Sequence, residues 1–394
     1  MHVSRICSDL VRIRSENPPG KTDEVIEYIR AFLDGIGVHA SVYGNGEGLD
    51  NLVAVRKGSR LLFAGHVDVV PALDRTWKRP PFSGLIEEGH VWGRGATDMK
   101  GGCAAILSAC LMLVDAGNEI PASLAFVCDE EEGGVHGMQY LLSKSVLSPC
   151  DCVIAEPTPA RHPTIGQKGL CRASFAFEGV SAHGSLYPAV GVSAIMEAAA
   201  FLSFVRTLHD DEYPVDETMK EILARSSGVL GQEFGIESVR EVLPKLTYNP
   251  GIISGGEKSN VVAQHCEFDL EMRIPWGCSI EKILQRLSSH ANHATMTVSE
   301  SNDPTITDPA SPLVAITCRE VERVYGGAVF PIVQWAASDA RHLRRYGFSV
   351  LEYGPGEIAS LHAVNERVSV TSLENATDIY CGIMKRYAET AAQD

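Results

Sequence analysis

The chain has 394 residues, of which 45% are apolar and 21% are charged, and its formal net charge is -16. This composition is typical of an ordinary globular protein and excludes a disordered or fibrous chain. The length predicts two domains. The strong negative charge, with no basic stripe to offset it, argues against a nucleic-acid partner.

Segments that would direct the chain to a membrane or an oxidising compartment are not expected. The N-terminal residues Met1–Arg5 lack a continuous apolar stretch, and the apolar helical segment 190–208 carries Glu197 and Arg206, which favours a buried helix over a membrane span. Eleven scattered cysteines lack the spacing of a disulfide framework or a zinc site. We therefore expect free thiols and a cytoplasmic protein with no membrane partner.

In the first part of the chain, predicted strands alternate with predicted helices. The strands are short and strongly apolar, and the helices show apolar residues at helical spacing. This alternation predicts an α/β domain whose sheet is mixed but largely parallel, with helices on both faces. The predicted helices are 3–13, 25–36 and 101–114, and the predicted strands are 52–55, 61–64, 123–128 and 153–155.

The pattern changes after Pro163. Segments 173–177 and 266–273 alternate apolar and polar residues, as expected for antiparallel strands with one solvated face. Long helical patterns accompany them, so we predict an inserted α+β domain. Helices 312–325 and 373–390 would then complete the first domain. The predicted division is 1–165 and 303–394 for the first domain and 166–302 for the inserted domain.

Acidic and imidazole side chains follow several of the predicted strands. Taken singly, each has an ordinary explanation as a surface turn, a helix cap, an exposed acidic loop or a lone surface histidine. Together they predict one site, because the carboxyl ends of parallel strands meet at one edge of a sheet. Imidazoles and carboxylates without thiolates suit zinc or another hard or borderline divalent ion. The residues concerned are His66, Asp68, Asp98, Glu130, Glu131, Glu132, Glu156 and His362.

The motifs that carry these residues resemble those of a known family. The ordered motifs are Gly65-His66-Val67-Asp68, the glycine-rich segment 92–102, Asp129-Glu130-Glu131-Glu132-Gly133, and His362. The chain resembles, nearly end to end, the co-catalytic zinc amidohydrolases that include carboxypeptidase G, aminoacylase, acetylornithine deacetylase and succinyl-diaminopimelate desuccinylase. The resemblance implies a catalytic domain like that of zinc exopeptidases.

The resemblance also implies roles for the strand-end residues. Two Zn²⁺ per subunit are expected, with Co²⁺ or Mn²⁺ as substitutes. One ion would be bound by His66 and Glu156, the other by Glu131 and His362, and Asp98 would bridge them. Glu130 would be the general base, and Asp68 would orient His66. Relatives often have a cis peptide after the bridging aspartate, so the bond between Asp98 and Met99 is a candidate.

The three adjacent glutamates leave one assignment open. If Glu132 occupies the variable position, Glu130 is the base and Glu131 is the ligand. A shift by one residue would make Glu131 the base and Glu132 the ligand. We favour the first assignment.

The inserted domain resembles the lid and dimerisation domain of the same family. By that likeness, His183 in Ser181-Ala182-His183 would reach the active site of the partner subunit of a homodimer and stabilise the oxyanion. Asn260 and Arg273 match positions that contact substrate, while Arg341 and Gly356 belong to late motifs that line the pocket. Arg273 or Arg341 would clamp a substrate carboxylate, unless each forms an ordinary ion pair.

The resemblance implies a zinc-dependent hydrolase that cleaves the amide of an N-acyl amino acid, of the acetylornithine deacetylase or succinyl-diaminopimelate desuccinylase type. Aminoacylase, dipeptidase and carboxypeptidase activities remain alternatives, since the metal site is common to all of them, and a short peptide is then the substrate. A non-catalytic binding paralogue is a remote alternative. No Gly-x-Ser-x-Gly or Gly-x-Gly-x-x-Gly motif supports a serine hydrolase or a dinucleotide enzyme.

Overall fold

A computed structural model describes residues 2–44, 46–73, 76–235 and 237–391. Contacts within the chain divide it into two compact units. The first unit comprises residues 1–165, 306–332 and 338–394, and the second comprises residues 166–305 and 333–337. The domain boundaries given above stay a prediction beside this contact-based division.

The helices and strands follow the periodic patterns of the sequence closely. The α-helices are α1 Val3–Arg12, α2 Asp23–Gly35, α3 Lys100–Asp115, α4 Met138–Ser143, α5 Ala194–Asp210, α6 Glu217–Phe234, α7 Ile280–His290, α8 Pro312–Tyr325, α9 Ala340–Arg345 and α10 Val370–Ala391. The strands are β1 Ser41–Gly44, β2 Asp50–Ala54, β3 Leu61–His66, β4 Leu85–Glu87, β5 His90–Trp92, β6 Ser123–Val127, β7 Asp151–Ile154, β8 Thr164–Gln167, β9 Gly169–Glu178, β10 Thr247–Gly255, β11 His265–Ile274, β12 Ala294–Asn302, β13 Thr305–Ile306, β14 Ile332–Gln334, β15 Ser349–Glu352 and β16 Arg367–Ser369.

The main sheet has the strand order β1-β2-β6-β3-β7-β15, and β8, β13 and β14 complete it. Strand β3 pairs in parallel with β6 and β7, and β7 pairs in parallel with β15, whereas β1 and β2 are antiparallel to their neighbours. Every residue of β3 is buried, and α3 is buried along most of its length and contacts α1 and α10. The predicted mixed α/β fold is confirmed.

The parallel strands bring their carboxyl ends to one edge of this sheet. His66 ends β3, the acidic run 129–132 follows β6, and Glu156 comes two residues after the end of β7. Asp98 lies just before α3, which packs against β3. The fold thus gives these side chains, which are distant in sequence, a common location.

The second unit contains a four-stranded sheet of order β10-β11-β9-β12. Its strands are antiparallel, and the chain order β9-α5-β10-β11-α7-β12 is that of a ferredoxin-like fold, with α6 inserted before β10. Alternate residues of β9 and β11 are buried, as their alternating sequence predicts. Phe175, Phe177, Phe201 and Phe268 pack together in this core.

The apolar segment predicted as a buried helix forms α5, but only one face of it is buried. Ala198, Phe201 and Val205 face the core, whereas Ile195 is 41% and Met196 is 53% exposed. Within the described ranges, no helix has the length and apolarity needed to cross a membrane. All eleven cysteines are free and most are buried, which confirms the prediction of free thiols.

Candidate metal centre

Five side chains of the first unit form two groups that share one carboxylate. In the first group, Nε2 of His66 lies 3.0 Å from Oδ1 of Asp98 and 3.7 Å from Oε1 of Glu156. In the second group, Nε2 of His362 lies 3.2 Å from Oδ2 of Asp98 and 3.4 Å from Oε2 of Glu131. The structure thus brings together all five residues predicted as metal ligands, with one oxygen of Asp98 facing each imidazole.

The electrostatics of these groups fit bound cations. Removal from water raises the pKa values of Glu131 and Glu156, and the nearby negative charge of Asp98 raises them further. Hydrogen bonds to Asp98 and Glu131 raise the pKa of His362 to about 10, which shows that these carboxylates favour a positive charge beside them. Oε1 of Glu131 is buried and has no hydrogen-bond partner among the described residues. Three carboxylates and two imidazoles without a thiolate suit hard or borderline divalent ions.

Asp68 supports this cluster through both its backbone and its side chain. Its backbone oxygen accepts a hydrogen bond from Nδ1 of His66 at 2.9 Å, which leaves Nε2 to face the cluster, while its carboxylate lies 3.5 Å from Nδ1. The carboxylate accepts hydrogen bonds from the backbone N–H groups of Glu130 and Glu131, each at 3.2 Å. Asp68 therefore contacts both His66 and the acidic turn.

The acidic run forms a tight turn that points Glu131 and Glu132 in different directions. Asp129 has a positive φ of 67°, and its backbone oxygen accepts a hydrogen bond from Gly134. Glu131 lies in the cluster, whereas Glu132 is exposed to solvent. Gly134 has φ 75°, and a Cβ there would lie 2.6 Å from Oδ1 of Asp339, so glycine is needed to close this turn. This geometry favours Glu131 over Glu132 as a ligand.

The peptide bond between Asp98 and Met99 is cis, as predicted. Gly356, predicted to line the pocket, lies close to Pro157 and Thr97: a Cβ at Gly356 would approach their side chains to 2.6 and 2.8 Å. Arg341 is only 5% exposed, and its Nη1 donates a hydrogen bond to the backbone oxygen of Ser338. Both late motifs therefore lie within the first unit.

The remaining predicted site residues lie in the second unit. The motifs of His183 and Asn260 meet there, because Gly184 donates its N–H to the backbone oxygen of Asn260 at 2.8 Å and His183 pairs with Val261. His183 and Asn260 are both exposed. Nε and Nη2 of Arg273 bind one oxygen of Glu271, 3.0 and 2.7 Å away, while its buried Nη1 has no partner among the described residues.

Sequence reasoning missed three buried polar residues around the cluster. Nδ2 of Asn17 donates to both Asp68 and Asp129, at 3.0 and 3.1 Å. Arg94 and Glu366 form a buried ion pair next to Asp98 and His362. The available signals were an Asn before the double proline at 18–19 and an acid four residues after His362, and neither indicates a partner.

Comparisons with known proteins identify the family of the chain. Residues 62–386 match Peptidase family M20/M25/M40. The chain belongs to this family. The family assignment made from the motifs is thus confirmed, and this M20 chain is a metal-dependent hydrolase that acts on amides.

Three relatives illustrate the likeness of the M20 chain. It is 30% identical to succinyl-diaminopimelate desuccinylase of Cereibacter sphaeroides, with 97% of this chain and 98% of that protein covered. It is 26% identical to the desuccinylase of a Sulfurovum species, with 99% and 100% covered. The crystal structure of the M20 metallo-carboxypeptidase Sso-CP2 from Sulfolobus solfataricus has a similar fold, with a TM-score of 0.81, 21% identity, and 98% and 99% covered.

We expect Asn17→Ala to destabilise the M20 chain by about 2 kcal/mol, because two buried carboxylates lose a shared donor. Asp68 and Asp129 would then face each other without the amide between them. Urea unfolding followed by circular dichroism would measure the change. Asn118→Ala is the control, since Asn118 is exposed. Equal stability of the two variants would contradict the prediction.

His342 makes stability depend on pH. Burial lowers the pKa of His342 to about 3, and its Nε2 donates to the backbone oxygen of Gly133 in the acidic turn. Since the unfolded chain takes up the proton first, stability is lost as pH falls from the usual value near 6.5 towards 3. Between pH 7.5 and 5.5 the loss from this group is about 1.4 kcal/mol.

The measurement compares the free energy of unfolding of wild type and His342→Gln at both pH values. The glutamine amide keeps a donor for Gly133 but does not titrate. We expect the variant to show a smaller change between pH 7.5 and 5.5 than wild type. Identical pH profiles would contradict the assignment.

Proposed function

We propose that this M20 hydrolase cleaves the amide of an N-acyl amino acid, as acetylornithine deacetylase and succinyl-diaminopimelate desuccinylase do. Two Zn²⁺ would be held by the two side-chain groups that share Asp98, and this sharing is the observation that carries the proposal. The desuccinylase relatives, which match over nearly the whole chain, support the acyl-amino-acid class.

In this proposal Glu130 is the general base. When bound, zinc supplies the Lewis acidity that lowers the pKa of water to about 7 and polarises a carbonyl oxygen. Glu130 takes the proton of the attacking water and then delivers it to the leaving amine. Removal from water raises the pKa of Glu130, which favours both uptake and delivery of the proton near neutral pH. Its backbone N–H is held by Asp68, and its carboxylate belongs to neither ligand group.

We further propose a homodimer formed through the second unit, with His183 and Asn260 contributing to substrate binding or to the oxyanion. Strand β10 lies at the edge of its sheet, and seven of its nine residues are exposed. Several large apolar side chains of this unit are also exposed, namely Val180, Leu186, Val190, Ile195, Met196, Ile252 and Ile253. An exposed edge strand beside exposed apolar side chains is typical of a protein–protein interface, and we propose that a second copy of the chain covers it.

Sedimentation velocity tests the dimer. We expect a single species of twice the chain mass, and we expect Ile252→Lys with Ile253→Lys to shift it to the monomer. If wild type is a monomer at micromolar concentration, the proposed dimer is wrong, and so is the role of His183 in the active site of a partner subunit.

Arginine placement supports a substrate that carries an additional carboxylate. Arg273 keeps one unpartnered buried N–H, which a carboxylate would satisfy. Arg341 is buried close to the acidic turn, where its charge lowers the pKa of Glu130 against the effect of burial. We propose Arg273 as the substrate clamp. N-succinyl-diaminopimelate and N-acetylornithine are the leading substrates, and only the first of them carries the additional carboxylate. Aminoacylase, dipeptidase and carboxypeptidase activities remain the alternatives.

The deciding experiment measures amide hydrolysis by zinc-loaded protein across N-succinyl-diaminopimelate, N-acetylornithine, other N-acyl amino acids and dipeptides. Each assay is repeated after chelation and again after zinc is restored. We expect turnover of one acyl class, lost on chelation and recovered with zinc. Turnover of dipeptides alone would favour the peptidase alternative. Two bound metals without turnover of any compound would contradict the proposal and favour the non-catalytic paralogue.

We also propose that the protein works in the cytoplasm, on the support of its eleven free cysteines. A reducing compartment keeps buried thiols such as Cys103 and Cys110 free. Thiol titration of protein unfolded without reductant should give eleven thiols per chain, and a substantially lower count would contradict this location.

A further inference from the structure

A buried ion pair links two of the segments that carry metal ligands. Nη1 of Arg94 lies 2.5 Å from Oε2 of Glu366, and the two residues are 4% and 0% exposed. Neither residue belongs to the two ligand groups. Arg94 precedes α3 in the glycine-rich segment, and Glu366 lies just before β16.

Glu366 binds the backbone of the shared ligand. Its second oxygen, Oε1, accepts hydrogen bonds from the backbone N–H groups of Thr97 and Asp98, at 3.0 and 3.1 Å. One carboxylate therefore holds the guanidinium group with one oxygen and the peptides that carry Asp98 with the other. Loss of this carboxylate would leave two N–H groups of the Asp98 segment without their partner.

Arg94 binds the backbone beside the second imidazole. Its Nη2 donates to the backbone oxygen of His362 at 3.2 Å, and its Nη1 approaches that of Ala363 at 3.4 Å. Gly93 donates its N–H to the backbone oxygen of Glu366 at 2.9 Å, which ties the same two segments again. The ion pair thus contacts the main chain at both Asp98 and His362, whose side chains lie 3.2 Å apart.

Stability alone is a poor reason for this arrangement. Burying two charges costs several kcal/mol per ion, and an apolar pair of similar volume often stabilises a core equally well. The negative charge of Glu366 also lies close to Asp98, which is itself in an acidic cluster. What the pair supplies, and an apolar pair would not, is a fixed set of hydrogen bonds to the two ligand segments.

The two ligand groups depend on this pair to different degrees. In the group of Asp98, Glu131 and His362, the pair contacts the main chain of two of the three members. In the group of His66, Asp98 and Glu156, only Asp98 is contacted. His66 is held instead by its place on β3 and by the backbone oxygen of Asp68.

We propose that Arg94 and Glu366 are positioning residues that set the distance between Asp98 and His362. They thereby determine the metal affinity of the second site, which is formed by Asp98, Glu131 and His362. The inference rests on the proposed function, because it requires that both groups bind an ion. Outer partners of metal ligands commonly change metal affinity by about 10- to 100-fold, and this pair acts on two ligands of the same site.

The test is a titration of metal-free protein with Co²⁺ alone, followed by calorimetry and by visible absorption of the bound ion. Wild type should bind two ions. In Glu366→Gln, we expect the first ion to bind as in wild type and the second to bind at least about tenfold more weakly. The amide retains an oxygen for the two N–H groups but leaves Arg94 without a carboxylate.

Glu320→Gln is the matched control. Glu320 lies on α8, is 1% exposed, and binds Arg323 and Arg386 at 2.7 and 3.2 Å, so it is an equally buried ion-paired acid. Its ion pair with Arg323 lies within α8 and its ion pair with Arg386 joins α8 to α10, so neither holds a ligand segment. We expect Glu320→Gln to lower the unfolding midpoint while both Co²⁺ ions bind as in wild type.

Arg94→Lys is a second variant in case Glu366→Gln does not fold. Lysine keeps the positive charge beside Glu366 but lacks the planar guanidinium group that donates to the backbone at His362 and Ala363. We therefore again expect weaker binding of the second ion alone. Unchanged affinity for both ions in a folded variant would overturn the inference alone. Binding of a single ion by wild type would overturn the two-ion function as well, so the two failures are distinguishable.

Discussion

Glu130→Gln should abolish nearly all turnover while both bound metals remain. The partly buried carboxylate of Glu130 follows β6, and its backbone N–H is held by Oδ1 of Asp68 at 3.2 Å. Since Glu130 belongs to neither ligand group, its loss removes proton transfer without removing a ligand. Positioned acid–base groups contribute about 10²- to 10⁴-fold, so kcat should fall by at least about 100-fold.

The measurement pairs steady-state kinetics on the substrate identified by the panel with metal analysis of the same samples. Glu132→Gln is the matched control, because Glu132 is the exposed neighbour in the same turn and should keep both activity and metal. The alternative assignment predicts the opposite pattern. If Glu132→Gln loses metal while Glu130→Gln stays active, Glu131 is the base and Glu132 is the ligand.

Asp98→Asn should weaken both metal sites at once. Asp98 is the only member common to the two groups, and its two oxygens lie 3.0 and 3.2 Å from the imidazoles of His66 and His362. The amide has a similar shape but lacks the charge that two cations require. Because even outer partners of metal ligands change affinity by about 10- to 100-fold, we expect each ion to bind at least about 100-fold more weakly.

Metal binding and thermal unfolding measure this effect together. A ligand that binds only the folded state at 1,000 times its Kd adds about 4 kcal/mol, so zinc should raise the unfolding midpoint of wild type but not of Asp98→Asn. Asp151→Asn is the control: Asp151 is at the start of β7, accepts a hydrogen bond from Tyr387, and belongs to neither ligand group. Wild-type metal content in Asp98→Asn would contradict the shared role of Asp98.

Much of the fold and the ligand set was predictable because both follow local patterns. Burial on both faces makes β3 a continuous apolar run, and one buried face makes β9 and β11 alternate. Polar residues directly after such strands share a sheet edge, so His66, Glu131 and Glu156 pointed to one site before any distance was known. The extent of burial along α5 was predicted less well, since an apolar composition does not indicate which face meets the core.

The acidic run shows where sequence becomes ambiguous. Three identical neighbours permit two assignments, and the choice depends on how the chain turns after β6. The positive φ of Asp129, the hydrogen bonds to Asp68 and the close approach of Gly134 to Asp339 turn Glu131 towards the cluster and Glu132 towards solvent. These are contacts between segments, which a local pattern does not encode.

By itself the sequence determined the strand ends, the identity of the acids and imidazoles placed there, and the family to which they belong, because periodicity and motif order are local properties. Only the tertiary structure decided how those ligands are held. Asn17 meets Asp129 across 112 positions and Arg94 meets Glu366 across 272. Such pairs form because buried charges and N–H groups must find partners when the chain compacts, and the partner's position depends on the whole fold.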